Sequence, residues 1–299
     1  MAKRTEIFKG AWILYLFYGA ALAILLLYFM FPSGAVVDYV RLSAQKEVPG
    51  FYLEIAGALP CMGPGIVFRD VSFYRKSAPG LRLARFERIR LVPEILSLFR
   101  EETVYRIEAE GLGGTVKGKF TPSDGGKKTA MSGNMEFLGI RLEDLKAVSE
   151  AAGRRVTGSL SGIISIASQG GDIISLSGLA RLKAADAGLE LVQPLVGITA
   201  LRFSEITING VLEKGRININ QADFKGRELN GNLSGSISLA VPVEESILDI
   251  RGTVEPQVRF LTASDAAPEV KAAMIQFFKK GKIGFVLRGK IRSPTVRFM

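Results

Sequence analysis

Leu229 to Val241 reads LNGNLSGSISLAV. Leu229, Leu233, Ile237, Leu239 and Val241 stand at alternate positions, with Gly231 and Gly235 in the gaps. Asn230, Asn232, Ser234, Ser236 and Ser238 take the intervening ones. A period of two is that of a β-strand, whose successive side chains point to opposite faces, and here one face is apolar and the other polar. Leu248, Ile250, Gly252 and Val254 repeat the pattern, as do Ile283, Phe285, Leu287, Gly289 and Ile291. Leu229, Leu233, Ile237, Leu239, Val241, Ile283, Phe285 and Leu287 are therefore the candidate apolar core or groove. Glycine on such a face lets a sheet bend sharply. The motif GSLSG at Gly158–Gly162 recurs as GNLSG at Gly231–Gly235, each running on into an alternating Ile/Ser strand.

The rest of the chain after residue 50 follows the same grammar of short apolar runs between turn residues. Strands are expected over Phe51–Ile55, Ile66–Tyr74 with an irregularity near Asp70, Leu81–Arg85, Ile89–Val92, Tyr105–Phe120 and Met131–Leu138. Gly111, Gly113 and Gly114 interrupt the fifth of these. Pro93 suits the start of a short amphipathic turn over residues 94–99. Leu142, Leu145 and Val148 recur at three-residue steps and predict a helix over Arg141–Ala152, ended by Gly153. Pro268–Lys280 predicts another, with a basic end that suits its dipole. TPSDGGKKT, Thr121–Thr129, is the most polar loop and a point at which the sheet divides into two layers or continues as one.

Ala11 to Phe31, AWILYLFYGAALAILLLYFMF, is 21 residues without a charge. At about 1.5 Å per residue a helix of that length spans roughly 30 Å, the thickness of a bilayer's hydrocarbon core. Trp12, Tyr15 and Tyr18 near one end and Tyr28 near the other suit the interfaces. Lys3, Arg4 and Lys9 precede the run, so it predicts a single-pass anchor with residues 1–10 cytoplasmic and residues 51–299 across the inner membrane, after a juxtamembrane linker over 32–50. Ser33-Gly34-Ala35 offers small residues for a signal peptidase, but the run is longer than the about 7–15 residues of a signal-peptide core, which favours an uncleaved anchor.

The chain has 299 residues, 47% of them hydrophobic, 33 glycines, a net charge of +10, one cysteine and no histidine. The absence of histidine removes Ser-His-Asp and Cys-His chemistry and any histidine-bearing metal site. Asp70, Glu87, Asp144, Asp223 and Asp249 are scattered at strand ends and turns, with no spacing that pairs two for acid–base work. Cys61, in LPCMGPG, has no neighbouring ligand and reads as a small buried apolar residue. No catalytic, cofactor or metal site is expected. The expected orientation keeps the body away from nucleic acid, and its basic surface suits anionic headgroups or simple solubility.

Several segments carry a resemblance. They are Ile66-Val67-Phe68-Arg69-Asp70-Val71, the turn ending Leu96-Ser97-Leu98-Phe99 with the later GLGGTVKG, and the span from Leu195 to Val254 containing GRININQADFKGRELNGNLSGSISLAVPVEESILDIRGTV. The closing GKIGFVLRGKIRSPTVRF belongs with them. The chain resembles the type II secretion system protein N family in its longer, AsmA-like form. The resemblance implies a bitopic inner-membrane protein with a mainly β, strongly curved, mostly antiparallel periplasmic sheet and two or three short helices. It implies a non-catalytic accessory role among other secretion-system envelope components. It also implies an alternative, an envelope protein that binds or transfers phospholipid along an apolar groove. A sandwich or barrel with a closed core fits the same alternation.

Overall fold

The computed structural model describes residues 4–47, 50–61, 63–76, 80–100, 103–121, 131–168, 175–195, 198–240, 245–257, 281–291 and 293–299. Helix α1, Arg4–Phe29, leads into α2, Ser33–Glu47, through a break at Pro32. The strands are β1 (Phe51–Pro60), β2 (Ile66–Arg75), β3 (Arg82–Pro93), β4 (Tyr105–Gly111), β5 (Gly114–Thr121), β6 (Met131–Arg141) and β7 (Val156–Ser168). They continue as β8 (Leu176–Leu195), β9 (Ile198–Glu213), β10 (Arg216–Gly226), β11 (Leu229–Ser238), β12 (Ile247–Pro256), β13 (Ile283–Lys290) and β14 (Ser293–Phe298). A 3-10 helix, Ile95–Phe99, joins β3 to β4, and α3, Lys146–Ala152, joins β6 to β7.

All 14 strands form one antiparallel sheet in strict chain order, and β1 and β14 are its open edges. Open sheets rarely exceed about 10 strands without curling, and this one carries the devices that curl it. Asp70 has φ +49° and is skipped in the pairing of β2 with both neighbours while the register runs on unchanged, so the irregularity read from the sequence is a left-handed kink within the strand. Asp186, φ +50°, forms a bulge, with two residues of β8 opposite Gly158. Arg75 at the end of β2 meets Glu150 of α3 at 3.2 Å, which joins strands several places apart in the sheet. The chain exposes 20418 Å², where a compact monomer of 32.4 kDa exposes about 12,000 Å². A single open layer of strands exposes more surface than a packed two-layer domain.

Three apolar clusters hold the first half of the sheet. Val37 of α2 packs with Ile55, Ala58, Phe68 and Val71. Ala109, Leu112, Val116 and Ile140 form the second cluster, joined by Leu145. Leu142, Ala184 and Ala187 form the third, joined by Val148 and Phe203.

Several expectations need correction. The strands expected at Leu81–Arg85 and Ile89–Val92 are one strand, β3, because the bulge between Phe86 and Arg88 opposite β4 absorbs the break in pattern without ending the pairing. The helix expected from Arg141 starts at Lys146, since Arg141 still belongs to β6. Leu145 N–H bonds to Leu142 O at 3.2 Å and Val148 N–H to Leu145 O at 2.9 Å. The three-residue step therefore reports 3-10-type turns, which have three residues per turn. Of the two alternatives at Thr121–Thr129, the sheet continues as one, because β5 and β6 pair from Thr115↔Leu138 to Thr121↔Ser132. Within the linker expected over 32–50, Ser33–Glu47 forms α2, which packs on β1 through Val37. Cys61 is half-buried at the end of β1, not fully buried. The helix expected over Pro268–Lys280 lies outside the described residues.

The uncharged run stands in α1 as far as Phe29. Taken over the described residues, no helix is long and apolar enough to cross a membrane; several side chains of α1 lie outside that set.

Candidate functional site

Directly paired residues of an antiparallel sheet share a face, so the register shows how far the apolar face extends. Across the first seven strands one row of partners runs Ala58, Phe68, Ile89, Ala109, Val116, Phe137, Gly162. It continues through Leu182, Ile208, Ala222, Leu233, Gly252, Phe285 and Phe298. The row enters every strand once and meets no polar side chain. A neighbouring row does the same from Pro60 and Ile66 through Leu91, Ile107, Gly118, Met135 and Ile164. It leaves through Ala180, Gly210, Ile219, Gly235, Ile250, Leu287 and Val296. With strands about 4.8 Å apart, this face is roughly 60 Å long.

Most of the sequence-derived candidates fall here. Leu229, Leu233 and Ile237 lie on the apolar face of β11, and Ile283, Phe285 and Leu287 on that of β13, with β12 between them. All six are half-buried, while Leu248 and Ile250 beneath them on β12 are 8% and 7% exposed. Leu239 lies just past the end of β11, where its N–H bonds to Gly215 O at 2.8 Å. Val241 lies outside the described residues. Among the described residues, the helices that pack on the sheet are α2 against β1 and α3 against β3 and β7.

Two aromatic rings floor this face by lying over glycines. A Cβ on Gly252 would stand 2.7 Å from Phe285 Cζ, and one on Gly231 would stand 2.5 Å from Phe224 Cζ. Each ring covers backbone that its cross-strand partner leaves bare, an arrangement that pins register. Sequence reading placed Gly231 and Gly252 on the apolar face and missed that rings cover them; the signal was an aromatic on the adjacent strand, which carries no meaning until the register is known.

The opposite face is a ladder of cross-strand ion pairs. Arg88 meets Glu110 at 3.9 Å, Lys117 meets Glu108 at 3.5 Å, and Glu205 holds Lys183 at 2.6 Å and Lys225 at 3.5 Å. Hydrogen bonds from Lys119 and Arg106 hold the Glu94 carboxyl below its ordinary value. The bond from Lys183 does the same to Glu205, and that from Arg288 to Asp249. The hydrogen bond to Asp70 raises Arg85 above its ordinary value.

Four of the five scattered carboxylates have partners of this kind. Asp70 pairs with Arg85 at 2.5 Å, Asp144 with Arg141 at 2.7 Å and Asp249 with Arg288 at 2.9 Å, while Asp223 accepts from Gln221 Nε2 at 2.6 Å. Each is matched to a donor rather than to a second carboxylate. Among the described residues no group of His, Cys, Asp and Glu is arranged to hold a metal ion. The geometry offers an apolar surface backed by a charged one.

Comparison with protein-family models, with curated proteins and with solved structures finds no match to this chain.

Proposed function

We propose that this protein is a single-pass inner-membrane protein whose curved sheet cradles the acyl chains of phospholipid along its apolar face. The observation that carries this reading is the unbroken apolar row from Ala58 on β1 to Phe298 on β14. A closed core needs a second layer over such a face, whereas the side chains on β11 and β13 are only half-buried. An apolar trough tens of ångströms long, with charge confined to its back, suits chains of methylenes. Trp12, Tyr15, Phe17, Tyr18 and Phe29 are each about 70% exposed or more on α1, and a helix that is apolar all round calls for an apolar surrounding. The basic flank before it supports a cytoplasmic N-terminus and a periplasmic sheet. Native mass spectrometry of the detergent-extracted full chain tests the reading. Copurifying phospholipid that is lost in Ile237→Asp supports it, and a clean apo mass overturns it.

A second reading is the accessory role in type II secretion, with the sheet as a docking module for other envelope components. It is favoured by the open edge at β14, every residue of which is exposed, because an unpaired strand edge is a ready template for a partner. Normal export of folded substrates in a deletion strain would remove this reading while leaving the lipid one intact.

A further inference from the structure

The 3-10 helix Ile95–Phe99 inverts the usual arrangement of a connecting segment. Its one buried side chain is a serine, Ser97, 2% exposed. Its four large apolar side chains face out: Ile95 is 59% exposed, Leu96 77%, Leu98 49% and Phe99 86%. The segment is held in this pose. Ser97 Oγ donates to Glu94 O at 2.6 Å and accepts from Val104 N–H at 2.9 Å. Glu94 is itself tied by Lys119 Nζ at 2.7 Å and Arg106 at 3.2 Å. Contiguous exposed apolar side chains on a fixed backbone mark a binding surface rather than a random exposure.

Its place in the fold says what that surface meets. The segment follows Pro93, at the end of the sheet where Leu91 pairs with Ile66 and Ile66 with Pro60. Helix α2 runs back along β1 toward the same end: it leads into the start of β1 at Phe51, Arg41 bonds to Ile55 O, and Val37 packs with Ala58 and Phe68. Phe31, at the junction of α1 and α2, joins that cluster. The exposed apolar segment and the foot of α1 therefore share one end of the sheet. Arg106 and Lys119 at its base pair with Glu94, so the segment's own acidic neighbour is neutralised.

We infer that Ile95–Phe99 is a second membrane contact, an apolar wedge that enters the lipid interface next to the point where α1 leaves the bilayer. This rests on the anchoring of α1 proposed above. The wedge and the helix together fix the sheet against the membrane at two points. That orients the start of the apolar face toward the bilayer rather than leaving the sheet free to swing about Pro32.

The test uses the full chain carrying Cys61→Ser, reconstituted in vesicles of phosphatidylethanolamine and phosphatidylglycerol. An environment-sensitive fluorophore is placed in turn at Leu96→Cys, at Leu16→Cys in α1 and at Ser234→Cys on the charged face, and quenched with nitroxide-labelled lipid. Phe99→Cys serves as a second wedge probe. All these side chains are exposed, so labelling leaves the packing intact. The expected result is severalfold stronger quenching at Leu96 and Leu16 than at Ser234. Quenching at Leu16 without quenching at Leu96 or Phe99 overturns the wedge and leaves the anchor standing. A shielded but unquenched Leu96 probe, as a second copy or another protein would produce, also overturns it. Quenching at neither Leu16 nor Leu96 removes the anchor and the wedge together.

Discussion

Gly162 and Gly235 hold the same backbone conformation in equivalent places of the sheet, with φ +149° and +148°. A Cβ on Gly162 would stand 2.2 Å from Arg181 O, and one on Gly235 would stand 2.2 Å from Asp249 O. Each faces a bulge on the strand before it. Phe137 pairs with Gly162 and Ile140 with Leu160, so two residues of β6 oppose Ser161. Ile219 pairs with Gly235 and Ala222 with Leu233, so two residues of β10 oppose Ser234. The recurring Leu-Ser-Gly of the sequence is thus one repeated device for bending the sheet.

Gly235→Ala is therefore expected to destabilise the protein by about 3 kcal/mol, because left-handed strain adds to a backbone collision that no rotamer relieves. Gly162→Ala should match it. Gly57→Ala, where a Cβ meets nothing within 4 Å, should be neutral or slightly stabilising. Urea denaturation of the three variants measures the contrast.

The two ends of the apolar face should respond differently to a buried charge. Ala58 is 1% exposed in the apolar cluster with Val37 and Phe68, so Ala58→Asp buries a carboxylate among apolar side chains and should prevent folding. Ile237 is half-buried on the open part of the face, so Ile237→Asp should retain the far-ultraviolet spectrum of the parent. Circular dichroism and protease resistance distinguish the outcomes.

Arg75 and Glu150 join β2 to α3 with side chains 30% and 33% exposed. Partial exposure keeps such a pair modest, and a double-mutant cycle with Arg75→Ala and Glu150→Ala should give a coupling of about 1 kcal/mol or less. A coupling near zero would mean that Leu145 and Val148 alone set the curl at that point.

Acid should weaken the sheet through its back face. Glu94, Glu205 and Asp249 all have folded values below their ordinary ones because cations donate to them. A carboxylate lowered on folding contributes stability that is present above its unfolded value, about 4, and is lost as pH falls through the lower folded value. The denaturation midpoint should hold from neutral pH down to about 4 and fall below it. Glu94→Gln with Glu205→Gln should flatten that fall, and added salt should shrink it.

Much of the strand content was legible because period-two alternation is a local property. Leu229–Ser238, Leu248–Val254 and Ile283–Lys290 could be read residue by residue, and Asp70 announced its left-handed kink by breaking the pattern of IVFRDVSFY. The helix at residue 141 misled because three-residue and 3.6-residue steps differ little over two turns. The exposed wedge was invisible, since Ile95-Leu96-Ser97-Leu98-Phe99 reads as an amphipathic turn that hides its apolar residues; the hydrogen bonds of Ser97 reverse it.

By itself, the chain's order of residues determined that β-strands dominate, that one side of them is apolar, and that no histidine chemistry is available. Only the tertiary structure decided that those sides align into one continuous row rather than two stacked layers. Alternation fixes which way each side chain points along a strand, but the neighbour it meets depends on register. Register here is set by bulges at Asp186 and opposite Ser161 and Ser234, and by rings laid over Gly231 and Gly252, all of them contacts between residues distant in the chain.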